Sequence, residues 1–421
     1  MHTKKYALLT ILLAVVVSFA PVLTPHTAPV VAQEGDNVVV IPPGETVRLG
    51  LATDLSNLIP GPGLDIAQAA ELAVQLFNEE DLLGGFQVEL VVEDDRCTGE
   101  DATAVANLFA SDPQLVGVVG HVCSGASIPA SEVYEEARIP MVSPSSTAGA
   151  FTARGLDVTN RVAFNDNIQG VVAARYIFNE LGAERIVVLH DNSSYGEGLA
   201  STVADTFEEL GGEVIAFEVI DPEEQDYRAL LTVLVEEAPD LVYFGGYESQ
   251  AALLVEQMVE VGLDAIFFSD DGVYTTTFIE LAGDAAEGTY VTFGQQLGDE
   301  EANAEFDALY EEAFGVAPDE LGPFHAQSFD AANVLLNALL EVAEIDDEGN
   351  LVIDREAYIQ AVRSTSDYEG LSGTITCDEF GDCGSALISV FVVEDGEWVE
   401  LEVPEELQVS SSDMMEEEAM E

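Results

Sequence analysis

Two α/β lobes built on parallel sheets are what this sequence predicts, and three observations predict them. Short runs rich in Val, Ile and Leu alternate with stretches of helical period over most of the chain. Strands that read as continuous apolar runs between helices belong to βαβ units, where helices cover both faces of the sheet. The succession also runs almost twice, before and after about residue 166, which exceeds what one hydrophobic core ordinarily holds. Finally, the last third breaks the rhythm and no long linker separates the halves, so the chain is expected to cross between the lobes more than once.

The elements follow in order. Met1-His-Thr-Lys-Lys5, an apolar run over 6–20 and small residues at Val30 and Ala32 describe a cleavable secretory signal over 1–32. The run is shorter than the ~20 residues of a spanning helix, and no Cys near the cleavage point offers a lipid anchor. The expected product is exported and soluble, periplasmic or extracellular. Residues 33–45 read as an unstructured lead-in. Strands are expected at 47–52, 88–92, 115–121, 139–142, 186–189, 214–219, 241–244, 266–268 and 290–293. Helical periods fill the gaps, at 67–77, 104–109, 171–181, 199–210, 230–237 and 249–261. Helices at 302–314, 324–342 and 358–362 precede an antiparallel pair, 386–393 and 398–403, around Asp395-Gly396. The polar, acidic end of the chain, 406–421, is expected to be disordered.

Composition removes whole classes of function. Beyond the signal the chain contains no lysine, and the formal net charge is −68. Nucleic-acid binding needs Lys and Arg to neutralise phosphates, so it is excluded. Schiff-base chemistry and a P-loop fall with the missing lysine. The acidity reads as a solvated surface suited to a saline medium. Scattered histidines give no zinc spacing, Asp346-Asp-Glu-Gly-Asn350 lacks a calcium-loop spacing, and no Gly-x-Ser-x-Gly elbow occurs. No cofactor, no metal and no catalytic residue is called for.

Four cysteines in an exported chain point to disulfides. Cys377-Asp-Glu-Phe-Gly-Asp-Cys383 is a short loop whose ends pair locally, leaving Cys97 and Cys123, each just after an expected strand, to pair with each other. The rival is a His121/Cys123 nucleophilic pair, which lacks a third, orienting group.

Candidate binding residues gather at the carboxyl ends of the strands, where open α/β sheets hold ligands. In the first half, 115–121 leads into Cys123-Ser124-Gly-Ala-Ser127 and a helix ending near Ala137. The next strand runs into Ser143-Pro-Ser145-Ser146-Thr147. These hydroxyls and a helix start make an anion site, unless Ser124 and Ser127 merely cap the helix. In the second half, Tyr195 follows His190-Asp-Asn-Ser-Ser, Tyr247 follows Tyr243-Phe-Gly-Gly, and Ser269-Asp270-Asp271-Gly272 ends a third strand. Donors facing tyrosines and carboxylates fit a zwitterion, its carboxylate on Ser124, Thr147 and amides, its ammonium on Asp271.

At these residues the chain resembles the branched-chain amino-acid binding proteins of ABC importers, the type I periplasmic binding proteins. The matching strings are Gly120-His-Val-Cys-Ser124, Ser143-Pro144 with Thr147, His190-Asp191 with Tyr195-Gly-Glu-Gly198, Gly245-Gly-Tyr247, Gly272-Val273 and Ala282-Gly-Asp-Ala-Ala-Glu-Gly288. They recur in order from about residue 47 to 403. The resemblance implies two doubly wound, Rossmann-like lobes joined by three crossovers, with 46–166 plus 296–370 in one and 167–295 plus 371–405 in the other. It implies a monomer that closes on an amino acid, branched-chain or otherwise aliphatic, and delivers it to a membrane permease. Ser124, Ser145, Ser146 and Thr147 would take the α-carboxylate, Tyr195, Tyr247 and Gly272 would line the pocket, and Asp271 would meet the ammonium. Cys97–Cys123 looks like that family's disulfide. Two departures leave the ligand's side chain open. Asp271 is a methylene shorter than the usual glutamate, and Leu55-Ser-Asn-Leu-Ile-Pro-Gly-Pro-Gly63 lacks the relatives' aromatic. The same fold binding an amide, urea or an aromatic acid is the alternative.

Overall fold

A computed structural model describes residues 37–409. Five parallel strands form the first sheet, in the order Val88–Asp94, Val47–Thr53, Leu115–Gly120, Met141–Ser143, Thr159–Arg161. The second sheet has seven strands: Glu397–Leu401, Ile388–Glu394, Tyr290–Gly294, Ile266–Ser269, Leu241–Gly245, Arg185–His190, Glu213–Val219. Its first two strands are antiparallel additions at one edge; the other five run parallel. Helices cover both sheets, so central strands such as Leu115–Gly120 and Leu241–Gly245 are buried along their whole length.

The helix Pro60–Glu79 shows how the sequence builds these layers. Pro60 opens it at the position where a missing N–H costs nothing. Ile66, Ala69, Ala70, Ala73 and Phe77 then repeat at helical spacing and are buried. Its main partner is His325–Val342, some 260 residues later, so the first lobe is completed only when the chain returns from the second. The chain passes from the first sheet to the second near residue 162, back after Gly294, and over again before Ile388. That gives two lobes and three crossovers.

Several expectations need correction. The lead-in is not wholly unstructured: Val38–Ile41 pairs antiparallel with Leu351–Asp354. Its β-branched residues alternate, with Val39 and Ile41 buried, as an edge strand requires. Thr159–Arg161 is a strand too short to read by periodicity. Residues 374–383, expected in the second lobe, lie against the first: Cys383 N donates to Arg161 O and Arg161 N to Gly381 O, both at 2.9 Å. Nor is 406–409 a free tail. Leu407 and Val409 are buried, and the Gln408 amide pairs with both backbone groups of Ile388. The expected signal, 1–32, and the stretch 410–421 lie outside the described residues. Among those described, no helix is long and apolar enough to cross a membrane. Cys97–Cys123 and Cys377–Cys383 are both disulfide-bonded, which removes the thiolate a His121/Cys123 nucleophile would need.

Candidate functional site

A small, partly enclosed cavity of about 30 Å³ lies between the strand ends of the two lobes. Its first-lobe wall begins at Ser124, the first residue of the helix Ser124–Ala137. Cys123 O accepts from Ala126 N and Ser127 N, so the amides of Ser124 and Gly125 head the helix without partners inside it. Ser124 Oγ instead accepts from Ala148 N at 3.2 Å, tying the helix start to the neighbouring loop. Ser145 also lines the cavity, with its hydroxyl on Val122 O at 3.0 Å.

Beneath this wall the loop 143–148 is held from two sides. The carbonyls of His121 and Val122 collect the hydroxyls of Ser127, Ser143, Ser145 and Ser146. Ser146 is thus a structural residue, not a cavity one, with Ser127 Oγ 2.6 Å away. His121 is itself fixed through its ring, Nδ1 to Asp95 at 2.6 Å and Nε2 to Tyr134 at 2.9 Å. The buried Arg161 guanidinium takes the carbonyls of Ser146, Thr147 and Ala148 at 3.1, 2.7 and 2.9 Å. No arginine lines the cavity, so an anion there would meet hydroxyls and amides alone.

The second-lobe wall carries Tyr195, Tyr247, Asp271 and Gly272. Tyr195 lies in the first turn of Ser194–Glu209, and Tyr247 sits just before Glu248–Val261; their rings are 5.3 Å apart. Tyr195 OH donates to Asp271 Oδ1 at 2.8 Å and accepts from Gly272 N at 3.0 Å. Only glycine fits at 272, since a Cβ would strike the Gly246 carbonyl and crowd the Tyr195 ring. Gln169 Nε2 adds a second bond to Asp271 Oδ1 at 3.0 Å, which leaves Oδ2 for the cavity. Burial pushes the Asp271 carboxyl up to about 6.

Two further carboxylates lie behind Asp271. Asp270 accepts from Gly246 N at 3.1 Å through one oxygen, while the other has no partner. Neither oxygen of Asp166 is hydrogen-bonded in good geometry, and the unpartnered Thr147 hydroxyl stands beside it. Burial first, and then the charge of Asp271, drives both carboxyls well above the usual range. Thr147 therefore belongs to this acidic floor rather than to the open cavity.

Sequence reasoning found Ser124, Ser145, Tyr195, Tyr247, Asp271 and Gly272, and the structure brings these six together. It missed Asp166 and Gln169, two residues in the first turn of the helix Asp166–Asn179, which bears no strand-end signal. It also missed the apolar wall, Ile59, Pro62, Val122, Pro323 and Phe324, drawn from three distant parts of the chain. The Pro residues at the starts of two helices were the available hint. Beside the cavity Thr275, one of its lining residues, accepts the Trp398 indole N–H through its carbonyl at 3.0 Å.

Residues 46–393 match the family model described as periplasmic binding protein. The chain belongs to that family, a family of solute-binding proteins rather than enzymes. As a periplasmic binding protein it is 32% identical over 338 residues to the leucine-, isoleucine-, valine-, threonine-, and alanine-binding protein of Pseudomonas aeruginosa, covering 80% of this chain and 87% of that one. Its structure is similar to a leucine-binding protein, LivK, from Thermotoga maritima, at 29% identity and TM-score 0.76 over 85% of this chain and 98% of that one. A solute-binding protein of Rhodopseudomonas palustris in complex with benzoate shares the fold at 20% identity and TM-score 0.72, over 85% and 95% of the two chains.

Proposed function

We propose that this periplasmic binding protein is the extracytoplasmic solute-binding component of an ABC importer. It works as a monomer that closes its two lobes on an amino acid with an aliphatic side chain and hands it to a membrane permease. One observation carries the reading: a wall of hydroxyl and amide donors without a fixed cation faces a buried carboxylate with an oxygen to spare. A zwitterion satisfies both sides at once. Its carboxylate lies on the amide and hydroxyl of Ser124, beside Ser145 and the Thr147 amide. Its ammonium lies on Asp271 Oδ2. The rings of Tyr195 and Tyr247 exclude water, and Ile59, Pro62, Val122 and Phe324 receive an apolar side chain. The names of the similar proteins from Pseudomonas and Thermotoga support the ligand class.

A thermal-shift and calorimetry panel tests this with aliphatic amino acids against benzoate, small amides and urea. The cognate amino acid at a hundred times its Kd adds about 2.7 kcal/mol of stability. Tighter binding of benzoate or an amide than of any amino acid would replace this reading with the acid or amide alternative.

A further inference from the structure

The second disulfide loop is bonded to Arg161 and Asn165, and Arg161 in turn holds the loop that carries Ser145 and Thr147. Cys377–Cys383 closes a bridge between residues six apart. Inside it, Asp378 Oδ1 accepts from the amides of Phe380, Gly381 and Asp382 at 2.8, 2.8 and 2.9 Å, which folds the loop into a compact turn. That turn docks edge-on to Thr159–Arg161 through the two backbone bonds between Arg161 and residues 381 and 383.

The docking delivers Asp382 to Arg161. Its two oxygens take Arg161 Nε and Nη2 at 2.7 and 3.1 Å, the bidentate geometry in which guanidinium and carboxylate bind most strongly. Asn165 Nδ2 fixes Asp382 Oδ2 at 2.8 Å. Nη1 is then free to collect the carbonyls of Ser146, Thr147 and Ala148, and Nη2 reaches Thr152 Oγ1 at 2.9 Å. In a trans peptide the C=O and the following N–H point opposite ways. Carbonyls drawn to Arg161 therefore turn the amides of Thr147 and Ala148 the other way, toward Ser124, and Ala148 N does bond Ser124 Oγ.

We propose that Asp382 is a positioning residue for the ligand carboxylate. Held by the Cys377–Cys383 loop, it orients Arg161, and Arg161 orients the amides of the 146–148 loop. The inference rests on the proposed amino-acid reading for its ligand readout, but not for its amide readout.

The test uses Asp382→Asn and the Cys377→Ser/Cys383→Ser pair, with Asp382→Glu as the conservative variant. In ligand-free protein, hydrogen exchange at the Thr147 and Ala148 amides should quicken at least tenfold in Asp382→Asn, while amides of Leu241–Gly245 in the other lobe stay unchanged. With L-leucine and L-leucinamide as probes, both disrupting variants should weaken L-leucine about tenfold or more, the size of a lost charge-assisted bond. They should weaken L-leucinamide, which has no carboxylate, by less than about threefold. Asp382→Glu should recover part of the L-leucine affinity. Equal losses for both probes, or unchanged exchange at 147 and 148, would overturn the proposal. Failure of the wild type to bind L-leucine, with the exchange effect intact, would count against the amino-acid reading alone.

Discussion

In the proposed binding mode Asp271 and Ser124 divide the work of holding a zwitterion, and their losses should differ in size. Asp271→Asn removes one partner of a buried charge pair and should weaken amino-acid binding by about 2–5 kcal/mol in calorimetry. Ser124→Ala should cost only about 1–3 kcal/mol, because amides remain on the carboxylate. If Asp270→Asn proves the damaging change and Asp271→Asn harmless, the neighbouring aspartate is the true ammonium ligand. The pH response follows from the Asp271 carboxyl, pushed up to about 6 by burial. Below that value it holds a proton that an incoming ammonium must displace, so affinity should fall by up to about tenfold per unit as pH drops. Without ligand the sign reverses for stability. The folded protein binds more protons than the unfolded chain between about 4 and 6, so Asp271 favours folding less as pH rises through that window. Tyr195, Tyr247 and Asp271 were legible because a polar or aromatic residue right after an apolar run has to lie at a strand's carboxyl end. Asp166 was not, because its importance comes from what the third dimension places beside it.

Among elements, the two disulfides do unequal work. The Cys97–Cys123 bridge spans 26 residues and links the ends of Val88–Asp94 and Leu115–Gly120 across the intervening strand Val47–Thr53, with Cys123 also facing the cavity. On loop-entropy grounds, replacing both cysteines by serine should cost about 3 kcal/mol in denaturant unfolding. The short 377–383 bridge should matter less to global stability. Peptide mapping under non-reducing conditions should return only these two pairs. The long parallel strands could be read because burial on both faces leaves uninterrupted Val, Ile and Leu. Val38–Ile41 and Thr159–Arg161 could not, since edge strands and three-residue strands owe their existence to partners far along the chain. The same holds for 374–383, where polar loop residues dock by backbone bonds that no hydrophobic pattern announces.

For the molecule as a whole, closure and charge set the behaviour. A ligand that bonds both lobes favours the closed arrangement by its differential affinity, so small-angle scattering should show a more compact particle at saturating ligand. An unchanged radius would count against hinge closure. A net charge of −68 opposes compaction by self-repulsion, and salt shortens its reach to ~10 Å at 0.1 M. The melting temperature should therefore rise with added salt, most steeply at low ionic strength. The chain's single tryptophan supplies a reporter for such experiments. Trp398 stacks on Phe278, bonds the carbonyl of cavity-lining Thr275, and borders a crevice whose other side is Asp319, Gly322 and Pro323 of the opposite lobe. Opening the lobes would wet one face of that indole and leave its hydrogen bond in place. Its fluorescence, free of interference from any second indole, should shift to longer wavelength in the open form and return on ligand addition, without any label being attached.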